Sequence, residues 1–226
     1  MALRPTLQAG VTLIEMLVVV AIIAAVSAVL IFNYSDFSTN VSVRNLSQEI
    51  ALAVRKAQTY ATSVRQIEGT TISTKAFPAY GISFAVSSNL VPPNNLTPGP
   101  RQFILFADNF TGIGDPSRGF YNYLNDRACG DLADGNECLE SFAINTADRI
   151  TSICGAVSGR LNLNTDCYTD AQVDITYRRP SPDAVICLTT PIDQVCSIPY
   201  VVINLESAKG LKRSVSIWNT GQISVQ

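Results

Sequence analysis

Residues 10–32 read GVTLIEMLVVVAIIAAVSAVLIF, a glycine followed by 22 residues that carry a single charge, Glu15. As an α-helix such a run is about 33 Å long at about 1.5 Å per residue, which matches the hydrocarbon core of a bilayer. A carboxylate inside a span costs up to ~2.5–3.5 kcal/mol at the bilayer centre and less near an end, so it marks a function before it marks a filler position. Glu15 therefore calls for a partner. The 226-residue chain has room for this one span and a globular domain of ordinary size.

Composition narrows the chemistry. The chain has 16 Lys plus Arg against 18 Asp plus Glu, a balance that does not call for nucleic acid. Histidine is absent, so imidazole is unavailable as metal ligand, general base or triad member. No Ser-x-x-Lys or Gly-x-Ser-x-Gly motif occurs, and a signal-anchored extracytoplasmic enzyme would have only scattered carboxylates to work with. That reading stays as the remote alternative, since the separation of two acids is a three-dimensional fact. No cofactor is expected.

The six cysteines, Cys129, Cys138, Cys154, Cys167, Cys187 and Cys196, all follow the apolar run, spaced C-x8-C, C-x12-C and C-x8-C. None forms a C-x-x-C pair, which leaves zinc-ribbon and thioredoxin-type readings without support. An even count beyond a membrane-insertion signal points to an oxidising compartment. Six cysteines allow about 15 connectivities. Short separations favour pairing in chain order, 129 with 138, 154 with 167 and 187 with 196, with six reduced core thiols as the alternative.

The amino terminus sets the class. The ten residues MALRPTLQAG are too short and too polar for the apolar region of an ordinary signal peptide, and no Ala-x-Ala site follows the span. The hydrophobic stretch is expected to be retained. Arg4 precedes it and Asp36 is the first charge after it, which predicts a single pass with the amino terminus inside and the bulk of the chain outside.

Gly10 followed by VTLIEMLVVVAIIA resembles the type III signal of type IV pilins and pseudopilins. Leader, glycine, Thr-Leu-Ile-Glu and apolar span occur in that order. The resemblance implies that a prepilin peptidase cuts between Gly10 and Val11, that the new terminus is methylated, and that Glu15 becomes the fifth mature residue. Val11 stands where phenylalanine is most common, and the leader has one Arg in place of a basic cluster. Cleavage would leave an ammonium on Val11, protonated at neutral pH, with which Glu15 of a neighbouring subunit could pair. Their attraction is much stronger in low dielectric than in water, so the pair would set the register of helices packed side by side. The bland alternative is a carboxylate of a plain signal anchor that reaches up to the headgroups.

Past the span, neither Gly nor Pro occurs until Gly69, which permits one long helix. Val43, Leu46, Ile50, Val54, Ala57, Ala61 and Val64 step by 3, 4, 4, 3, 4 and 3, the spacing of one helical face. Arg44, Gln48, Glu49, Arg55, Lys56, Ser63 and Arg65 are expected opposite. The polar stretch FNYSDFSTN, residues 32–40, lowers helix propensity and predicts a bend at residues 33–36.

From Ala79 the pattern changes to short runs rich in β-formers: YGISFAV, RQFILFAD, FYNYL, ESFAI, RITSICGAV, QVDITYRR, DAVICL, PYVVINL, RSVSIW and QISVQ. Alternation at Val173, Ile175 and Tyr177, and at Val215 and Ile217, predicts half-buried antiparallel strands. The tripeptide NTG between the last two runs reads as a hairpin turn. SSNLVPPNNLTPGPR and NDRACGDLADGNE read as loops. The expected fold is α+β: a pilin-like long amino-terminal helix, half transmembrane and half amphipathic, packed on an antiparallel sheet. Its parts are a leader (1–10), a span that becomes the filament core (11–32), an amphipathic continuation of the helix (33–67) and a disulfide-bonded β-rich domain (68–226).

The carboxyl-terminal KGLKRSVSIWNTGQISVQ resembles H-type pseudopilins of type II secretion and related minor pilins. What this implies is a minor subunit or pseudopilin, with a major fibre subunit as the alternative. Its partners would be other pilin or pseudopilin subunits in a helical polymer, the prepilin peptidase, an inner-membrane assembly platform, and the membrane before assembly. It would begin in the cytoplasmic membrane and end in a periplasmic or surface filament. Lys209, Lys212 and Arg213 could touch phosphates, as in minor pilins of DNA uptake, though three bases in an acidic chain are more often a solvated strand edge. Asp108 and Asp115, and Asp131 and Asp134, offer oxygens for Ca²⁺ but lack the regular loop spacing, so solvated turns are favoured. Asn95 and Asn109 begin sequons, a cheap match.

Overall fold

The structure, a computed structural model, describes residues 10–63, 78–87, 98–108, 119–121, 129–130, 136–155, 167–178, 180–191 and 193–226, with the backbone alone at residues 31–36. The fold is α+β. Helix α1 runs Leu13–Thr62, and among the described residues eleven strands follow: β1 (Ala79–Ala85), β2 (Gln102–Asp108), β3 (Cys138–Ala143), β4 (Arg149–Gly155), β5 (Cys167–Tyr168), β6 (Gln172–Tyr177), β7 (Ala184–Thr189), β8 (Gln194–Cys196), β9 (Tyr200–Glu206), β10 (Lys212–Trp218) and β11 (Ile223–Val225). The chain divides into two units, Met1–Thr39 and Asn40–Gln226. The backbone of residues 33–36 is helical, so the low propensity of that stretch does not end the helix. In a long helix, propensity is a weak prior that neighbouring turns override.

In the second unit the helix presents the face its spacing predicts. Val43, Leu46, Ile50, Val54, Ala57 and Ala61 are all buried in the core, with Ala53 and Ser47 beside them. Each fully buried Val, Leu or Ile contributes about 1.5–3 kcal/mol of transfer free energy. Lys56 departs from the expected solvent face: its ammonium pairs with the Glu140 carboxylate of β3 and lies 5.6 Å from the Phe142 ring centre and 5.8 Å from that of Tyr60. Its four-carbon stem lets one residue cover apolar surface and still reach an acid. Nearer the start of the unit, Ser42 donates to Asp148 Oδ2 at 2.5 Å, and Thr146 donates to the same oxygen at 2.7 Å. The helix ends at Thr62; Val64 and Arg65 lie outside the described residues.

The strands form two antiparallel sheets. Sheet A has the order β3-β2-β1-β6-β7-β8 and sheet B the order β11-β10-β9-β4-β5. Their inward faces share one core with the helix, Tyr80, Ile82, Phe84, Phe103, Leu105, Val173, Ile175 and Tyr177 from sheet A meeting Ile150, Ile153, Val201, Ile203, Leu205, Val215 and Ile217 from sheet B. On sheet B the expected Val215 and Ile217 of β10 are buried, but Ser216 between them is buried as well; the alternation is clean on β9, where Tyr200, Val202, Asn204 and Glu206 are partly exposed between buried neighbours. The turn at NTG is also present, Gly221 taking φ +83° and donating to the Trp218 carbonyl.

Sheet A corrects the half-buried expectation. All six residues of β6, and six of seven in β1 and β2, are buried, so both faces are covered. Part of that cover is Tyr121, whose ring centre lies 5.4 Å from that of Phe106. The run FYNYL, read as a strand, supplies this cover: Tyr121 is not in a strand, and residues 122–124 lie outside the described residues. Strands β5 and β8, of two and three residues, went unpredicted; each is carried to its neighbour by a disulfide.

Candidate functional site

The candidate site is the start of α1, and its local chemistry explains where the helix begins. Gly10, Val11 and Thr12 are outside the helix. The Thr12 carbonyl accepts the first helical hydrogen bond, from the Met16 amide at 3.2 Å, and the Thr12 hydroxyl oxygen accepts from the Glu15 amide at 3.3 Å. Thr12 is thus the N-cap and Glu15 the third helical residue, the Thr-x-x-Glu spacing of a capping box. Glu15 also lies in the first turn, where a negative charge meets the positive end of the helix dipole. The Thr-Leu-Ile-Glu string thus caps the helix besides forming part of the signal, and its Thr-x-x-Glu spacing is the sequence mark of that cap.

Beyond the cap, the helix from Leu13 to Leu30 is long and apolar enough to cross a membrane, and none of that window is buried within the chain. Leu13 is 84% exposed and Leu30 65%. Solvent-exposed apolar patches above a few hundred Å² mark membrane or protein contacts, and this one covers every side of the helix. A bilayer can take it up; so can a bundle of like helices, in which packing and the satisfaction of polar groups decide the association.

The other sequence-derived candidates fall elsewhere. The cysteines are joined Cys129 to Cys138, Cys154 to Cys167 and Cys187 to Cys196, with Cα separations of 4.8, 3.9 and 4.0 Å. The second and third pairs lie directly across from each other in the β4–β5 and β7–β8 ladders. Lys209, Lys212 and Arg213 flank the turn from β9 to β10, around Gly210 at φ +78°. They do not make an uninterrupted basic patch: Glu206 is the cross-strand partner of both Lys212 and Arg149, and its carboxylate is 3.8 Å from the Arg149 guanidinium.

Of the Ca²⁺ candidates, Asp115, Asp131 and Asp134 lie outside the described residues. Asp108 is 2% exposed, accepts from the Gly119 amide at 3.1 Å and stands 3.8 Å from the Arg178 guanidinium. Those contacts suit a carboxylate that binds backbone. Among the described residues, no group of three or more metal-ligating side chains comes together.

Neither curated proteins nor solved structures yielded a match to this chain. Residues 6–31 match the family described as the prokaryotic N-terminal methylation motif. That match spans Gly10, the Thr12 cap, Glu15 and the apolar helix through Ile31, so the chain carries a type IV pilin-like prepilin signal.

Proposed function

We propose that this protein is a structural subunit, a minor pilin or pseudopilin, of a type IV pilus or a type II secretion filament. A prepilin peptidase removes residues 1–10, and the subunit then leaves the cytoplasmic membrane for a helical filament built around its apolar amino-terminal helix. The observation that carries this reading is an apolar helix with no cover from its own chain, headed by one carboxylate three residues after the N-cap. In the membrane, lipid covers it; in the filament, other subunits do. Glu15 sets the axial offset by pairing with the ammonium that cleavage creates on a neighbour, a pair whose attraction grows as water is excluded. The disulfides suit the oxidising side of the membrane, where the β-rich unit would fold.

The test replaces Glu15. Glu15→Ala should leave insertion and leader removal intact, read as an unchanged mass of the membrane-held protein, while its amount in sheared filaments falls at least tenfold. Normal incorporation refutes the role given to Glu15. Wild-type filaments in which the subunit still begins at Met1 refute the processing step. The abundance of the mature subunit in those filaments separates the grades of subunit: dominant for a major pilin, trace for a minor one, retained with the membrane for a pseudopilin.

A further inference from the structure

The outward face of sheet A carries a buried polar group that the filament reading leaves without a task. Asp174, at the centre of β6, is fully buried. Both of its oxygens accept from Gln172 Nε2, each at 3.2 Å, and it also accepts from the Ser83 hydroxyl of β1 and the Tyr121 amide. Two further side chains of the same face hold the same short segment. Asp108 accepts from the Gly119 amide at 3.1 Å, and the Thr176 hydroxyl donates to the Gly119 carbonyl at 2.9 Å. Three side chains from β2 and β6 therefore fasten residues 119–121 to the sheet through backbone, and the Tyr121 ring on Phe106 covers the apolar part.

Among the described residues, the charged and titratable groups around Asp174 are few. On β2 there is Asp108, of the same sign. Arg178, at the end of β6, has its guanidinium 3.8 Å from Asp108. From β1 comes Ser83, and from β7 the cross-strand neighbour is Cys187, which is held in a disulfide and does not titrate. Burial is the largest influence on Asp174 and raises its pKa to about 7, against the hydrogen bonds from Ser83, Gln172 and Tyr121, which lower it.

We propose that Asp174 makes the attachment of residues 119–121 to sheet A proton-dependent, seated when the carboxyl is protonated and loosened when it is ionised. The physical cause is the cost of a charge without water: an ionised Asp174 gains hydration when the segment bonded to it through Tyr121 lifts. The direction follows from the raised pKa. Seating is favoured fully below the ordinary carboxylate range and weakens as pH rises from about 4 through about 7, above which both states are ionised and the dependence ends.

Amide hydrogen exchange of the full-length protein in detergent micelles tests this, with protection factors at Gly119 and Tyr121 compared between pH 5.5 and pH 8 and Ile203 of sheet B as reference. If lifting fully hydrates the carboxyl, protection at Tyr121 relative to Ile203 falls by about 30-fold across that interval. In Asp174→Asn it stays flat. A flat wild-type profile, or an equal fall in Asp174→Asn, overturns the proposal. Should that variant fail to fold, the wild type is judged on both readouts together: a fall in Tyr121 protection that accompanies a carboxyl carbon midpoint of Asp174 above 5 supports the proposal, and a midpoint of 5 or below, or a midpoint above 5 with no fall at Tyr121, overturns it.

Discussion

Gly81→Ala is a stringent test of how sheet A is covered. A Cβ on Gly81 would stand 2.4 Å from Phe106 Cζ, 2.7 Å from Phe106 Cε1 and 2.9 Å from the Ile175 carbonyl oxygen. The ring can move, but the carbonyl belongs to the β1–β6 ladder and cannot move without disturbing the Ile82–Ile175 register. Overpacking of this kind costs ~1–3 kcal/mol. Displacing Phe106 also forfeits its contact with Tyr121, about 0.5–1.5 kcal/mol for an aromatic pair. Against these, alanine in a strand gains ~0.5–1 kcal/mol over glycine through backbone entropy. The balance is a loss of about 2 kcal/mol, which in a unit of this size lowers Tm by ~4–8 °C. Thermal unfolding of the full-length variant, followed by circular dichroism of the sheet signal, measures it. Gly81→Ala combined with Phe106→Leu should recover part of the loss, because the shorter side chain clears the new methyl group. A single variant as stable as wild type would refute the claim that Phe106 covers sheet A by lying over a glycine.

Two smaller perturbations probe other parts. Replacing Cys187 and Cys196 by alanine opens the loop that carries β8, and chain entropy for so short a loop predicts a loss of about 2–3 kcal/mol, read from the urea midpoint with and without the bond. Thr12→Ala removes the helix cap at a cost of ~1 kcal/mol. It should speed amide exchange at Glu15 and Met16 several-fold in micelles and leave the β-rich unit unchanged; equal rates would show that Thr12 does not cap the helix.

Much of this architecture was legible in the sequence wherever one face of an element is buried and the other is not. In the helix from Val43 to Ala61, and at Val215 and Ile217 of β10, period alone located core residues. Legibility failed where cover comes from far along the chain. Nothing local in QVDITY says that Asp174 and Thr176 are buried, because what covers them includes residues 119–121, more than 50 positions earlier. The short strands β5 and β8 failed for a different reason: two or three residues carry no period, and the disulfides that place them are visible only as spacings. At the candidate site the structure adds a local role, the helix cap, to residues that the sequence marked as part of a signal. Thr12 and Glu15 were seen as part of a signal, while the Thr-x-x-Glu spacing also states where the helix starts.

That starting point bears on how a peptidase would reach its bond. Proteolytic enzymes bind substrate in extended form, and a peptide bond inside an α-helix has its amide and carbonyl committed to the turns before and after it. By capping at Thr12, the chain keeps Gly10 and Val11 out of the helix, and both residues are exposed. Gly10 also has open space where a side chain would be, so backbone can be approached closely there. An N-cap one turn earlier would lengthen the helix and put the Gly10–Val11 bond inside it; one turn later would move Glu15 out of the first turn. On the proposed function, Thr12 would act as a ruler, measuring from a fixed helix end both the bond that a peptidase would cut and the acid that would meet the new terminus.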